Sequence, residues 1–366
     1  MRHPTVPMAR PLLEPEEAAA VARVLASGWV MQGPETEAFE GEFARFVGAP
    51  RACAVSSGTA ALHLALLAVG VRAGDEVVTV SHSFIATANS VRHAGATPVF
   101  VDIEPATYNL DPARVAEAIG PRTRAILCVH QLGMPCDLHA LAALARARGL
   151  PLVEDAACAA GSELLVDGQW QRIGRPHGDV ACFSFHPRKL ITTGDGGMVT
   201  ARDAVVDERV RAWRSHGTRD GVHGFNYRMT DLQAAIGRVQ LGRLAGLVDE
   251  RRRLVETLRE RLGARVRFAV EPPWARSNWQ SLCVRFASEA AARAAAARCE
   301  ADGIAVRSGL VNAHEEPGQS DGVRGPLVES ERAHRECLLL PLPTGMTDEE
   351  MDRVVDAVVR GVALLP

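Results

Sequence analysis

Phe183-Ser184-Phe185-His186-Pro187-Arg188-Lys189, followed two residues later by Thr192-Thr193-Gly194-Asp195-Gly196-Gly197, joins an apolar strand to a glycine-rich turn. Lys189 is the one lysine among the 41 Lys and Arg residues of a 366-residue chain. Wherever a plain positive charge suffices, this sequence uses arginine. A guanidinium stays protonated, whereas an amine that is desolvated or set near other cations can lose its proton, attack a carbonyl and form an imine. Lys189 is therefore read as a Schiff-base lysine. Compositional drift toward arginine would explain an isolated surface lysine, but not one set between a strand and a turn of small residues.

Outward from this stretch, short apolar runs alternate with amphipathic ones from about residue 50 to 200, the pattern of strands linked by helices in an α/β domain. The expected strands are Ala52 to Val55, Glu76 to Val80, Pro98 to Val101, Ala125 to His130, Leu150 to Val153, Val180 to Phe185 and Gly197 to Thr200. Helices are expected over Glu14 to Ala26, Thr59 to Val69, Ile85 to His93, Pro112 to Ile119, Leu138 to Arg148 and Asp348 to Val362. Thr230-Asp231-Leu232-Gln233 has capping-box spacing and opens a helix that runs through Leu241 and Leu247 toward Arg261. Beyond it, Arg265 to Phe268, Leu282 to Phe286 and Ile304 to Arg307 read as strands, with a Ser288-capped helix to Ala301. Residues 1–245 are thus assigned to a large α/β domain and 246–366 to a smaller α+β one.

In open α/β sheets ligands bind at the carboxyl ends of the strands. After the first strand comes Ser56-Ser57-Gly58-Thr59, small residues opening an apolar helix whose unpaired N–H groups suit a phosphate. Alone, that motif fits an ordinary N-cap equally well. After the second comes Ser81-His82-Ser83-Phe84, placing an aromatic where a flat ligand would stack; in isolation it also fits core packing. After the fifth comes Glu154-Asp155, a carboxylate delivered from deep in the sheet with no cation adjacent in sequence. A protonated ring nitrogen would supply the partner; a helix N-cap is the plainer reading. With Ser184 and Lys189 from the sixth strand and its loop, the ordered set describes a pyridoxal phosphate site.

Composition narrows the partners. At 47% hydrophobic and a net charge of −3, the chain carries no global pull toward nucleic acid or anionic membrane. Met1 to Arg10 lacks the apolar core of a signal peptide and no segment approaches a membrane span, so a cytoplasmic location is expected. The 8 cysteines are scattered through apolar stretches, as reduced buried thiols. Cys128, His130, Cys136 and His139 lack paired metal-ligand spacing, so no metal is expected.

The sequence resembles the DegT/StrS family of pyridoxal-phosphate sugar aminotransferases nearly end to end. The markers are Ser27-Gly28-Trp29-Val30 with Gln32-Gly33-Pro34, Ser57-Gly58-Thr59-Ala60-Ala61-Leu62, Glu154-Asp155-Ala156-Ala157, Phe183 through Gly197, Asn226-Tyr227-Arg228-Met229-Thr230-Asp231, and Leu340-Pro341-Leu342-Pro343-Thr344-Gly345. The resemblance implies a type I pyridoxal-phosphate transferase fold and a homodimer with shared active sites. It also implies transfer of an amino group from an amino acid such as glutamate to a keto sugar carried on a nucleotide, with pyridoxamine 5'-phosphate as the intermediate form of pyridoxal 5'-phosphate. By position, Lys189 would carry the Schiff base and shuttle protons, and Asp155 would hold the ring nitrogen protonated. Phe84 would stack on the ring; Gly58, Thr59 and Ser184 would bind the phosphate, and Asn226 would reach the partner subunit's. Trp29, Arg228 and His314 are candidate substrate contacts. Three departures stand out: Cys158 where many relatives carry Gln or His beside the cofactor's phenolic oxygen, Asp195 in place of Glu, and Gly309 to Pro317 in place of Tyr-x-Pro-x-His. That last segment keeps a cyclitol or other cyclic ketone open as acceptor. A sugar-deoxygenating relative would carry His at the lysine position, and a non-catalytic regulator on the same fold would have no need of Lys189, Asp155 and the phosphate set together.

Overall fold

The computed structural model describes residues 6–363, so the first five residues of the Met1–Arg10 segment lie outside the description. Helices α1 (Pro15–Ser27) and α2 (Pro34–Val47) lead into β1 (Ala52–Val55), α3 (Gly58–Ala68), β2 (Glu76–Val80), α4 (Ala86–His93), β3 (Thr97–Val101), α5 (Pro112–Ala118), β4 (Thr123–Val129), α6 (Leu138–Arg148) and β5 (Leu152–Asp155). A hairpin of β6 (Glu163–Val166) and β7 (Gln169–Arg172) precedes β8 (Val180–Ser184) and β9 (Gly197–Ala201). Then come α7 (Ala204–Arg214), a short ribbon of β10 (Thr218–Arg219) and β11 (Val222–His223), and the 32-residue α8 (Asp231–Leu262). The remainder comprises β12 (Arg267–Phe268), β13 (Ala275–Arg276), β14 (Leu282–Arg285), α9 (Glu289–Ala301), β15 (Arg307–Ser308), α10 (Val328–Glu336), β16 (Cys337–Leu340) and α11 (Asp348–Ala363).

Seven strands form the main sheet in the order β1-β9-β8-β5-β4-β2-β3. Only β9 runs against the others, paired antiparallel to both β1 and β8, so the sheet is mostly parallel. Parallel strands need crossovers and bury both faces, and β2 and β5 are accordingly buried at every position. A second, antiparallel sheet, β12-β14-β16-β15, is built from the C-terminal third.

Alternation along β8 shapes the site. Phe183 and Phe185 face α2, where they pack on Phe39 and Phe43 with ring centroids 4.9 to 5.7 Å apart, so Ser184 is turned to the other face, against α3. The start of α8 locks α2 in turn. Asp231, 1% exposed, accepts the N–H groups of Gly33, Glu35 and Thr36 and the Thr36 hydroxyl at 2.6 to 3.1 Å, satisfying donors the N-terminus of α2 would otherwise leave open. The Thr230/Gln233 capping box forms as the spacing predicts.

Two expected strands need correction. The strand expected over Ile304 to Arg307 forms only at Arg307–Ser308, because Ile304 bridges to Val6 instead. That expected over Arg265 to Phe268 shrinks to Arg267–Phe268, the preceding residues closing a single 3-10 turn. The β6–β7 hairpin and helices α2 and α7 were not expected. Gln169-Trp170-Gln171-Arg172 has no apolar alternation, and the hairpin is held by β13, more than 100 residues later in the chain. Among the described residues no helix is long and apolar enough to cross a membrane.

Candidate active site

The carboxyl ends of β1, β2, β5 and β8 meet at one edge of the main sheet. At β1, Ser57 extends into α3 and its hydroxyl accepts the Ala60 N–H at 3.1 Å, leaving the first N–H groups of the helix, those of Gly58 and Thr59, for an anion. Ser184 of β8 lies directly across: a Cβ built on Gly58 would stand 2.8 Å from Ser184 Cβ. Glycine is required here by close approach. We expect Gly58→Ala to cost about 1–3 kcal/mol in denaturant unfolding and to remove most of the stabilisation that added pyridoxal phosphate gives; an unchanged midpoint with and without the additive would show that this approach is not part of the site.

Asp155 ends β5 and is 4% exposed. Its Oδ2 accepts the Thr87 hydroxyl at 2.8 Å, its Oδ1 accepts the Ala157 N–H at 3.1 Å, and Thr87 is linked on to Ser83 at 2.9 Å. Burial raises the Asp155 carboxyl above the usual range, while the Thr87 hydroxyl, the Ala157 N–H and the Lys189 charge pull it back. Among the described residues no arginine is bonded to it. A buried carboxylate served by two neutral donors and one nearby amine retains capacity for a further cationic donor. Lys189 itself is half-buried and its Nζ donates to Cys158 Sγ at 3.0 Å. Next to Asp155, Glu154 is fully buried: it accepts the Gly178 N–H at 2.6 Å and meets His130 Nε2 at 3.2 Å. Because the Cys136 N–H donates to His130 Nδ1 at 3.0 Å, the ring proton sits on Nε2 and faces Glu154.

The remaining sequence candidates distribute around this edge. Phe84 is 69% exposed, an aromatic open to solvent at the end of the β2 loop. His314 is brought to the same loop across 233 residues: Ser81 Oγ lies 2.6 Å from its Nδ1 and accepts its backbone N–H at 3.1 Å, while His82 pairs with Asn312. Tyr227 and Arg228 run beside the end of β1, the Tyr227 carbonyl accepting the Ser56 N–H at 2.7 Å and Arg228 bridging to Val55. Asn226, one residue before, is exposed and bridges through its backbone to Ser215. Trp29 is 54% exposed and donates from its ring N–H to the Gln32 carbonyl at 3.1 Å; among the described residues no hydrogen bond joins it to Lys189.

Thr87, Asn278 and Gln280 were missed by sequence reasoning. Thr87 sits in the helix after Phe84, where its position one turn from Ser83 was the available signal. Asn278 and Gln280, polar residues immediately before β14, bond the loops carrying Cys158 and Lys189. Of the cysteine and histidine set, His139 bonds the Leu165 carbonyl and Cys136 Sγ the Val129 carbonyl; among the described residues no three His, Cys, Asp or Glu side chains group as a metal site.

The chain is 36% identical over 366 residues to GDP-perosamine synthase of Caulobacter vibrioides, covering 97% of each. It is 41% identical over 259 residues to the spore coat polysaccharide biosynthesis protein SpsC of Bacillus subtilis, spanning 66% of this chain and 65% of that one. The crystal structure of DesV from S. venezuelae in complex with a ketimine intermediate superposes with a TM-score of 0.92 at 36% identity, over 99% of this chain and 100% of that one. Residues 11–359 match the DegT/DnrJ/EryC1/StrS aminotransferase family, and the chain belongs to it.

Proposed function

We propose that this chain is a pyridoxal-phosphate aminotransferase that moves an amino group from glutamate to the keto group of a nucleotide-linked sugar, working as a homodimer. The observation that carries the reading is the convergence of Lys189, Asp155 and the Gly58–Ser184 cradle on one sheet edge. The residues present fit the cofactor: Gly58 lets the start of α3 lie closer to Ser184 than any side chain would permit, the Ser57 hydroxyl is spent on the Ala60 N–H and leaves those of Gly58 and Thr59, and Asp155 can accept a ring N–H. When bound, the cofactor supplies an electrophilic carbonyl carbon and a protonated ring that withdraws electron density.

The protein supplies the rest. Gly58 and Thr59 N–H groups and the Ser184 hydroxyl would hold the phosphate, with the α3 dipole favouring its charge. Asp155, oriented by Thr87, would keep a proton on the ring nitrogen. Lys189 Nζ would anchor the group, and as a free amine would take the donor's Cα proton in one half of the reaction and deliver a proton to the acceptor's amine-bearing carbon in the other. Phe84 would offer a ring face, and Asn226, exposed on the segment beside β1, would bind the phosphate held by the second subunit. The likeness to GDP-perosamine synthase supports a nucleotide-linked acceptor.

The test is an absorption spectrum of purified protein before and after glutamate, with borohydride trapping mapped to the one lysine, then amination of a panel of nucleoside-diphosphate keto sugars and cyclic ketones. Trapping on Lys189, a glutamate-driven spectral change and product from a nucleotide-linked sugar support the proposal. Product only from a cyclic ketone overturns the acceptor, and cofactor that never traps on Lys189 overturns the mechanism.

A further inference from the structure

Three consecutive residues outside the strand-end set hold the two loops that carry Lys189 and Cys158. Gln280 straddles the lysine: its Oε1 accepts the Leu190 N–H at 2.9 Å and its Nε2 donates to the Arg188 carbonyl at 2.6 Å. One amide, with one acceptor and its donors, thereby binds the peptide groups on both sides of Lys189. Asn278 does the same for the other loop, donating from Nδ2 to the carbonyls of Cys158 at 2.9 Å and Ala160 at 2.8 Å, while its Oδ1 accepts the Gln280 N–H at 2.9 Å. A Cβ on Gly133, whose φ is +100°, would overlap that Asn278 oxygen.

Between the two, Trp279 is 3% exposed with φ +50°, a conformation bulky residues rarely adopt and that persists only where the surroundings over-determine it. Arg251 of α8 meets this turn from behind. It is 4% exposed, and its Nη1 donates to the carbonyls of Gln280 at 3.1 Å and Trp279 at 3.5 Å. Burial pushes its guanidinium down to about 10, and among the described residues it forms no ion pair. A buried cation without a carboxylate is costly, and the bonds it makes here go to the Trp279–Gln280 turn.

We propose that Gln280 is a positioning residue for Lys189, braced by Arg251, and that with Asn278 it forms a clasp fixing the lysine's peptide against the Cys158 loop. With the backbone held on both sides, the amine moves only through its own side-chain torsions, in contact with Cys158 Sγ at 3.0 Å. The part played by Lys189 in the reaction rests on the function proposed above; the clasp itself does not.

The test therefore starts with cofactor-free full-length protein, where an acylating amine reagent and peptide mass mapping report on the sole lysine and amide hydrogen exchange reports on residues 186–193. In Gln280→Ala, exchange over that segment is expected to rise by about tenfold or more, as local opening becomes cheaper, and Lys189 acylation to change by at least about threefold. Gln280→Glu keeps an acceptor for the Leu190 N–H but has no donor for the Arg188 carbonyl, and is expected to fall between. In the loaded enzyme, kcat is expected to drop about tenfold with KM within about twofold, and the pH midpoint of the cofactor band to move. Exchange and acylation both at wild-type levels in a folded Gln280→Ala protein would overturn the proposal. If that variant does not fold, the same two readouts on Gln280→Glu decide it. Failure of the protein to bind pyridoxal phosphate would leave these cofactor-free readouts intact and count against the aminotransferase reading alone.

Discussion

Lys189→Ala is expected to lower kcat/KM by about 10⁴-fold or more, equivalent to about 5 kcal/mol of transition-state stabilisation. The residue is both the covalent anchor and the group that moves protons, and such dual roles are lost together. Lys189→Arg should fail as badly. The guanidinium stays protonated at any pH the fold survives, and its planar fork does not replace a point amine in contact with Cys158 Sγ. Steady-state kinetics on protein shown to be folded by circular dichroism checks this, since the Gln280 bonds flanking position 189 are to backbone and survive either change. Near-normal turnover by the arginine variant would sink the assignment.

Asp155→Asn is expected to retain cofactor yet lose about 10²–10³-fold in kcat, because asparagine keeps the Thr87 bond but cannot hold a proton on a ring nitrogen. The same substitution should have the opposite effect on stability without cofactor. The Asp155 pKa is raised in the folded protein, by burial above all. As pH climbs from the ordinary aspartate value through the raised one, the unfolded chain has already ionised while the folded chain resists, so the wild-type apoprotein loses stability across that window and remains lower above it. The asparagine variant has no such loss. Urea unfolding of both apoproteins between pH 4 and about 8 reads this directly; a wild type that gains stability over the range relative to the variant would show that the carboxylate is already compensated and needs no ring nitrogen.

Most of the chemistry was legible because it is local. Ser57-Gly58, Asp155 and Ser184 announce themselves as small or charged residues directly after apolar runs, and one lysine in a chain of arginines needs no alignment to be noticed. Thr87 was hidden by being a common residue in a short helix, meaningful only once its hydroxyl is found on Asp155. The clasp was hidden for a different reason: Gln280 is 90 positions from Leu190, and the two are joined by packing of α8 against the turn before β14.

The sequence by itself determined most of the strands and helices of the large α/β domain, since period-2 and period-3.6 patterns and caps are set within a few residues. It also determined which functional groups stand at strand ends. The tertiary structure alone decided that β9 enters antiparallel between β1 and β8, which brings the glycine-rich turn beside Ser57. It alone decided that Asn312 and His314 dock on the Ser81–His82 loop, that a polar hairpin survives by pairing with β13, and that a buried arginine braces the lysine's loop. These are pairings of groups far apart in the chain, whose partners are chosen by the whole core at once and leave no periodic trace in either segment.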